Sequence, residues 1–595
     1  MQTMKEPTRL FDFPYYQLEK QPLEKSLVSN FEGKWQSIST QEFVDQINLI
    51  SKGLLEMGVK PGDKIGLISH NNRMEWNIMD HGILQIGAID VPIYPTMSER
   101  DYEYIFNHAE LTYCFVSNEE IFEKVQNIRD KVPSLQGIFT FEHVKGAERW
   151  VKVMDKGKEG NQEEVEKIKE TIKEDDLATL IYTSGTTGTP KGVMLTHKNI
   201  ASNATCSVKR LPLMEEGEGR TLSFLPVCHI YERMLHYMYM YNCSTIYFAE
   251  SLETIKEDLN RSQPHIFTAV PRLLEKFYDG IVAKGSENKG VKKALFMWAI
   301  NLALKWEPDG QNGSWYEFKL GIARKLIFSK VKAALGLTNI KAVASGSAAL
   351  QPRLARFFNG AGIPVYEGYG LTETSPVIAV NSERDPGMLR IGTVGKPIDK
   401  VEVKIAEDGE ILCKGPNVMI GYYKNPEKTA EVLRDGWFHT GDIGEISDDG
   451  FLKITDRKKE IFKTSGGKYI APQLLENKMK ESLFIEQVMV VGEAQKFPAA
   501  IVIPSFDALK TWCKQHDMEY PGDEEICNNQ RIKDRIWKDV EKSNKTFGRW
   551  EQVKVIELVC EPFSIENGML TPTLKLKRKP ILEKYKELIN SIYNN

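Results

Sequence analysis

Ile181-Tyr-Thr-Ser-Gly-Thr-Thr-Gly-Thr-Pro-Lys-Gly192 follows directly on the apolar run Leu177-Ala-Thr-Leu-Ile181. Hydroxyls, three glycines and one lysine fall within twelve residues. A strand that feeds a loop of this composition lets the backbone approach a ligand closely. Exposed N–H groups, Ser and Thr hydroxyls and an ammonium together suit phosphate oxygens. The stretch therefore predicts a site for a nucleoside triphosphate. It is not a Walker-type loop, which needs Gly, four residues, then Gly-Lys-Ser/Thr at the head of a helix. Counted from Gly185, the second glycine position holds Pro190, and Lys191 is followed by Gly192. Loops rich in Ser, Thr and Gly also serve simply as turns, so the reading needs partners elsewhere in the chain.

Upstream, from about residue 38 to 130, helical patterns alternate with short strand candidates, Ala88-Ile-Asp-Val-Pro-Ile-Tyr94 and Leu111-Thr-Tyr-Cys-Phe-Val116. Such alternation predicts a layered α/β fold. The charged stretch Lys156–Glu170 reads as a solvated helix or linker. From Ile281 to Leu335 apolar residues recur at three- and four-residue spacing, as in amphipathic helices. These stripes read as core, or as a surface that meets a membrane or partner. Beyond about 400 the chain turns β-rich, with Val401–Ile405 and Gly409–Lys414. After the charged link Asp456–Glu460 a small unit follows, with Val488–Val491 and Ala499–Ile503 as its buried strands.

The 595 residues suggest three or four domain-sized units. Lys and Arg number 78 against 82 Asp and Glu, a balance of −4, so nothing global advertises nucleic acid. No signal-like apolar segment follows the polar start, and no run approaches a spanning helix. The eight cysteines are scattered without a Cys-x-x-Cys pair and read as reduced thiols of a cytoplasmic protein. Cys228-His229 with His236 lacks the spacing of a zinc site. Met234, Tyr237, Met238, Tyr239, Met240 and Tyr241 form a soft aromatic run that fits either a lipid tunnel or plain core packing.

Three further motifs supply the partners. Tyr366-Glu-Gly-Tyr-Gly-Leu-Thr-Glu-Thr-Ser375 joins an aromatic face for a purine to a carboxylate for a cation already held by phosphates. Asp435-Gly-Trp-Phe-His-Thr-Gly-Asp442 ends in an acceptor for ribose hydroxyls. Asn567-Gly-Met-Leu-Thr-Pro-Thr-Leu-Lys-Leu-Lys-Arg-Lys579 presents lysines beyond a hairpin turn.

In this order the motifs resemble the adenylate-forming superfamily of acyl-CoA synthetases, luciferases and peptide-synthetase adenylation domains. Phe224–Arg233, Ala269–Tyr278, Leu570–Arg578 and the helical insertion after Tyr278 resemble its long-chain fatty acyl-CoA synthetase branch. The resemblance spans nearly the whole chain. It implies a large N-terminal α/β domain over residues 1–458, with layered sheets and a β-barrel-like part. A small mobile α+β lid would cover 459–595. It implies a ligase that uses ATP, Mg²⁺ and coenzyme A, first making acyl-AMP and pyrophosphate, then acyl-CoA and AMP. A fatty acyl-AMP ligase, a CoA ligase for aryl or shorter acids, and a non-catalytic lipid- or nucleotide-binding protein are the alternatives.

The resemblance assigns Thr183, Ser184, Gly185, Thr186, Thr187, Gly188 and Lys191 to the phosphate loop. Tyr369 and Gly370 lie against adenine on one face, and Gly346-Ser347-Ala348 on the other. Thr372 meets the α-phosphate, Glu373 holds Mg²⁺, and Asp442 with Arg457 holds the ribose. Lys575 is the catalytic lysine, although Thr573-Leu574 replaces the family's common Ser-Gly before it, and Lys577 is the alternative. Lys459 is the hinge. His229, Gly466 and Gly467 belong to the passage between acyl and thiol sites. The implied partners are a fatty acid, ATP and coenzyme A, with no nucleic acid. A homodimer and a peripheral contact with the inner face of a membrane are left open.

Overall fold

A computed structural model describes residues 5–31, 34–184, 189–212, 217–251, 253–571 and 575–594. Two large sheets form the bulk of the chain. The first has eight strands, in spatial order Gly421–Tyr422, Pro190–Thr196, Leu177–Ser184, Ile89–Ile93, Lys64–Ile68, Leu111–Val116, Gly137–Thr140 and Glu148–Arg149. The central pairings are parallel, while Leu177–Ser184 and Pro190–Thr196 run antiparallel. Every residue of Ile89–Ile93 is buried, as expected of a parallel strand covered on both faces. The second sheet has nine strands and carries Ala342–Ser345, Val365–Gly370 and Val377–Val380 toward one edge.

Helices fill the space between the sheets. Met74–Leu84 is buried at every position and touches both the strand Ile89–Ile93 and the strand Leu27–Phe31 of the other sheet. A helix covered all round has no polar face to show. It nevertheless carries Asp80, which is answered by Arg233 of the neighbouring buried helix Ile230–Tyr241. The Arg233 guanidinium reaches Asp80 Oδ1 at 2.6 Å, Asp90 Oδ2 at 3.0 Å and Thr179 Oγ1 at 2.7 Å. Tyr237 donates its hydroxyl to Asp80. One buried cation thus ties the helix Ile230–Tyr241 to a second helix and to two strands of the first sheet.

The β-rich part is a five-stranded antiparallel sheet in which Trp437–Ile446 pairs with Glu410–Lys414 and Leu452–Arg457. The smaller C-terminal part has a three-stranded sheet, Ile485–Val491, Ala499–Pro504 and Val555–Leu558. Its residues alternate between two cores: Val488, Val490, Ala500 and Val502 face one, and Met489, Val491, Ala499 and Ile501 face the other. That is the period of two that a strand imposes. Among the described residues no helix is long and apolar enough to cross a membrane.

The expected strands and helices stand where the patterns put them, and Lys156–Glu170 falls largely on the helix Gln162–Thr171. The cysteine reading needs correction. Six of the eight are free and buried, but Cys527 and Cys560 are joined with a Cα–Cα separation of 6.1 Å. They are 33 residues apart in sequence, so only the folding of the C-terminal part brings them together, and no spacing rule reports it.

Candidate active site

A cavity of about 1540 Å³ opens between the two large sheets, the antiparallel sheet and the C-terminal part. The antiparallel register Thr183↔Lys191 brings both residues to its wall from the flanks of the opening motif. Gly185, Thr186, Thr187 and Gly188 lie outside the described residues, and Ser184 closes the strand Leu177–Ser184. The Lys191 ammonium sits 5.3 Å from the ring centroid of Tyr422. Tyr422 in turn donates its hydroxyl to Glu373 Oε1 at 2.8 Å. Burial lowers the Lys191 pKa, as do Lys428 and Lys459, against the pull of Glu373. Tyr422 was not singled out in the sequence. It reaches the site because Gly421–Tyr422 pairs with Pro190–Thr196 at the sheet edge, a long-range contact with no local signal.

Thr372 and Glu373 open a short 3₁₀ turn directly after the strand Val365–Gly370. Gly370 is required there, because a Cβ on it would come within 1.8 Å of the Pro376 carbonyl oxygen. Tyr369 donates its hydroxyl to Asp442 Oδ2 at 2.7 Å, and Arg457 Nε lies 3.5 Å from Asp442 Oδ1. Asp442 and Arg457 are direct register partners. Burial raises the Asp442 pKa, opposed by Arg457, the Tyr369 hydrogen bond and Lys575. Glu410 braces this pair from behind, accepting from Gly441 N at 2.9 Å and Lys458 Nζ at 3.0 Å. Gly346, Ser347 and Ala348 line the cavity just after the strand Ala342–Ser345, with Ser347 at φ 70°.

Lys575 comes from the C-terminal part, where Leu570 and Leu576 form an antiparallel bridge and Lys575 N bonds Thr571 Oγ1 at 3.0 Å. Its side chain lies in the combined field of Arg457, Asp442, Glu460 and Glu373. Burial is the main reason its pKa falls to about 8, with Arg457 adding to the shift and the carboxylates opposing it. Lys577 also borders the cavity, at the cap of the helix Arg578–Lys584.

His229 caps the helix Ile230–Tyr241, its Nδ1 accepting from Tyr231 N at 3.1 Å. Burial, aided by the Lys575 charge, pushes its pKa down to about 3. The imidazole is therefore neutral at physiological pH and carries its proton on Nε2, which suits a wall or gate better than a general base. Met234, Leu235 and Met238 of the same helix line the cavity, whereas Tyr237, Tyr239 and Met240 are buried in the core and Tyr241 stacks on Tyr16. The aromatic run is thus divided: one face lines a cavity and the rest is packing. Lys459 borders the cavity, but Gly466 and Gly467 sit in an exposed turn between Phe462–Lys463 and Tyr469–Ile470, outside it.

The site places cations from three parts of the chain (Lys191, Arg457 and Lys575) around two carboxylates and an aromatic ring. Such a set can hold a polyanion by several handles and leave one lysine to follow a moving charge. Glu373 keeps one carboxylate oxygen without a hydrogen bond among the described residues. No cluster of three or more metal-ligating side chains is found among those residues. One carboxylate beside bound phosphates is nevertheless the usual protein share of an Mg²⁺ site, so the residues present fit that ion.

Known proteins resemble this chain over most of its length. The family of AMP-binding enzymes matches residues 15–423, and the AMP-binding enzyme C-terminal domain matches 459–595. Long-chain-fatty-acid–CoA ligase FadD15 of Mycobacterium bovis is 34% identical over 569 residues, covering 95% of this chain and 93% of that protein. Human long-chain-fatty-acid–CoA ligase 1 is 35% identical over 599 residues, covering 94% and 82%. Among solved structures, the anthranilate CoA ligase AuaEII in complex with anthranoyl-AMP superposes with a TM-score of 0.72 at 19% identity, covering 98% of both chains. A Mycobacterium tuberculosis fatty acyl CoA synthetase does so with a TM-score of 0.63 at 19% identity, covering 98% and 99%.

Proposed function

The chain belongs to the AMP-binding enzyme family, and from that premise we propose that it is an ATP-dependent ligase joining a long-chain fatty acid to coenzyme A. The observation that carries this reading is the meeting of Lys191, Glu373, the Tyr369–Asp442–Arg457 group and Lys575 in one cavity, with Met234 and Met238 on its apolar wall.

The reaction has two steps. A carboxylate oxygen attacks the α-phosphorus of ATP, the bond to the β-phosphate oxygen breaks, and pyrophosphate leaves. The thiol sulfur of coenzyme A then attacks the acyl carbon, the acyl–oxygen bond breaks, AMP leaves, and the thiol proton passes to solvent. The obstacle in the first step is the approach of one anion to another. Lys191, with Thr183 and the loop Ser184–Gly188, holds the departing phosphates. Tyr369 and Gly370, with Gly346-Ser347-Ala348, enclose the adenine, and Asp442 with Arg457 accepts the ribose. Thr372 contacts the α-phosphate, and Lys575 bridges it to the substrate carboxylate, a positioning gain as much as an electrostatic one. Glu373 would hold Mg²⁺, which supplies charge neutralisation at the phosphates when bound.

We divide the chain at residues 1–458 and 459–595, with Lys459 as hinge. Rotation there would withdraw Lys575 and carry the Gly466-Gly467 turn, which now lies outside the cavity, toward the thiol side. A lid that alternates explains how one cavity serves two reactions.

Fatty-acid-dependent exchange of pyrophosphate into ATP, followed by thioester formation with coenzyme A, tests the reading. Exchange with no thioester would assign the chain to the acyl-AMP ligases, and exchange supported only by aryl or short acids would exclude the long-chain assignment. Lys575→Ala should abolish exchange while retaining ATP binding by calorimetry; unimpaired exchange would move the role to Lys577.

A further inference from the structure

Six of the eleven exposed large apolar side chains among the described residues fall between Val291 and Leu326. Four of them, Trp315, Phe318, Ile322 and Leu326, follow one another at three- and four-residue spacing along the helix Ser314–Ala323 and the turn Arg324–Phe328. They therefore share one face. Trp315 is 70% exposed and Phe318 58%, and their rings stack at 5.5 Å instead of turning inward. Val291 and Leu295 are exposed on the helix Gly290–Ala303, which packs beside it.

The opposite face is firmly held. Leu320, Ala323 and Phe328 are buried, and Phe328 meets Phe357 edge-on at 6.0 Å. Arg324 bonds the carbonyls of Gly360 at 2.9 Å and Asn359 at 3.0 Å. The apolar stripe is thus a fixed surface of the molecule, which monomeric proteins rarely leave uncovered without a use.

Charge identifies the occupant. Residues 281–340 carry ten Lys or Arg against four Asp or Glu, a balance of +6 in a chain whose total is −4. Lys292, Lys293, Lys325 and Lys330 enter no ion pair among the described residues, while Lys319 leans over Trp315 at 5.7 Å. A second copy of the chain would oppose this excess with its own in a twofold contact. An apolar stripe with Trp and Phe, rimmed by lysines whose long stems let the ammonium reach phosphate level, matches an anionic bilayer. We propose that this face docks on an anionic lipid membrane, with the Trp315–Leu326 stripe entering the headgroup–acyl boundary. The inference stands on this surface alone and does not depend on the reaction proposed above.

Sedimentation of the full chain with phosphatidylcholine vesicles, with and without phosphatidylglycerol, tests it. The protein should pellet with the anionic vesicles, less with neutral ones, and progressively less as salt is raised. Trp315→Ser/Phe318→Ser/Ile322→Ser should bind at least about tenfold more weakly, given the free energy of burying such groups, with an unchanged melting temperature. Lys292→Gln/Lys293→Gln/Lys325→Gln/Lys330→Gln should lose the preference for anionic vesicles. Absence of wild-type binding, or equal binding by the serine variant, would overturn the proposal. So would a wild-type dimer that the serine substitutions convert to monomer, which would make the face a protein contact.

Discussion

Lys575 is where local sequence and three-dimensional environment combine most directly. Its ammonium is displaced from an ordinary pKa of 10.5 to about 8, chiefly by burial and then by Arg457, against Asp442, Glu460 and Glu373. The cation is therefore present below about pH 8 and lost as pH rises through it. Between about 8 and 10.5 the unfolded chain holds the proton that the folded one has released, so this lysine adds stability as pH rises across that window. Activity should move the other way. The value of kcat/KM for adenylation should fall above about pH 8, because it reports the free enzyme. The fall in kcat should lie at higher pH, since bound triphosphate restores the proton's electrostatic advantage. A Lys575→Arg variant, weak but permanently charged, should show no such fall; a profile identical to wild type would assign the break to another group. At this scale the sequence was informative where a residue type stands out in a local motif. Lys191, Glu373, Asp442 and Lys575 all border one cavity; the first three could be named from their motifs and Lys575, with Lys577 as alternative, through the family resemblance. Tyr422 could not, because its link between Lys191 and Glu373 arises from strand pairing across more than two hundred residues.

At the scale of elements, periodicity distinguished strands from helices but not a lining from a core. The run Met234–Tyr241 reads as one apolar aromatic stretch, yet of its residues Met234, Leu235 and Met238 face the cavity, joined there by Tyr231 one turn earlier in the helix. What orients it is Arg233, which the sequence showed only as the end of the stretch Phe224–Arg233, next to a second buried charge, Glu232, with no sign of which carboxylates it meets. Arg233→Met should leave Asp80 and Asp90 buried without their cation, a loss of about 3–5 kcal/mol. That should appear as a marked fall in melting temperature, partly restored when Asp80→Asn and Asp90→Asn are added. A variant that melts with wild type would show the triad to be dispensable. On the cavity-facing side of the same helix, Met238→Trp should shorten the longest acid accepted without harming ATP binding. Turnover measured against fatty acids of graded length decides it, and an unchanged length profile would remove Met238 from the acyl wall.

At the scale of the whole molecule, the order of the motifs made the large and small parts legible, because each motif sits beside the loop it needs. The contacts that fix one part against the other were not legible, since they join surface residues with no pattern of their own. Arg272, at the start of the helix Pro271–Ser286, pairs with Glu486 at the start of the strand Ile485–Val491. Beside it Gln351 Nε2 reaches the Lys480 carbonyl at 3.5 Å and Glu275 at 2.8 Å. These tethers hold the C-terminal part where Lys575 lies in the field of Asp442 and Glu373, the arrangement that the adenylation step proposed above would use. Both members of the ion pair are partly exposed, so solvent limits it to about 1 kcal/mol, roughly a fivefold effect on an equilibrium. If the C-terminal part turns between the two steps, Glu486→Gln should lower pyrophosphate exchange by up to that factor. The same variant should leave thioester formation from preformed acyl-adenylate unchanged or faster, because the competing arrangement is no longer opposed by the tether. Equal loss in both half-reactions would mean that Arg272 and Glu486 merely stabilise the fold. A split between the two would show that a surface pair far from the reacting atoms sets how long the molecule remains in its adenylating state.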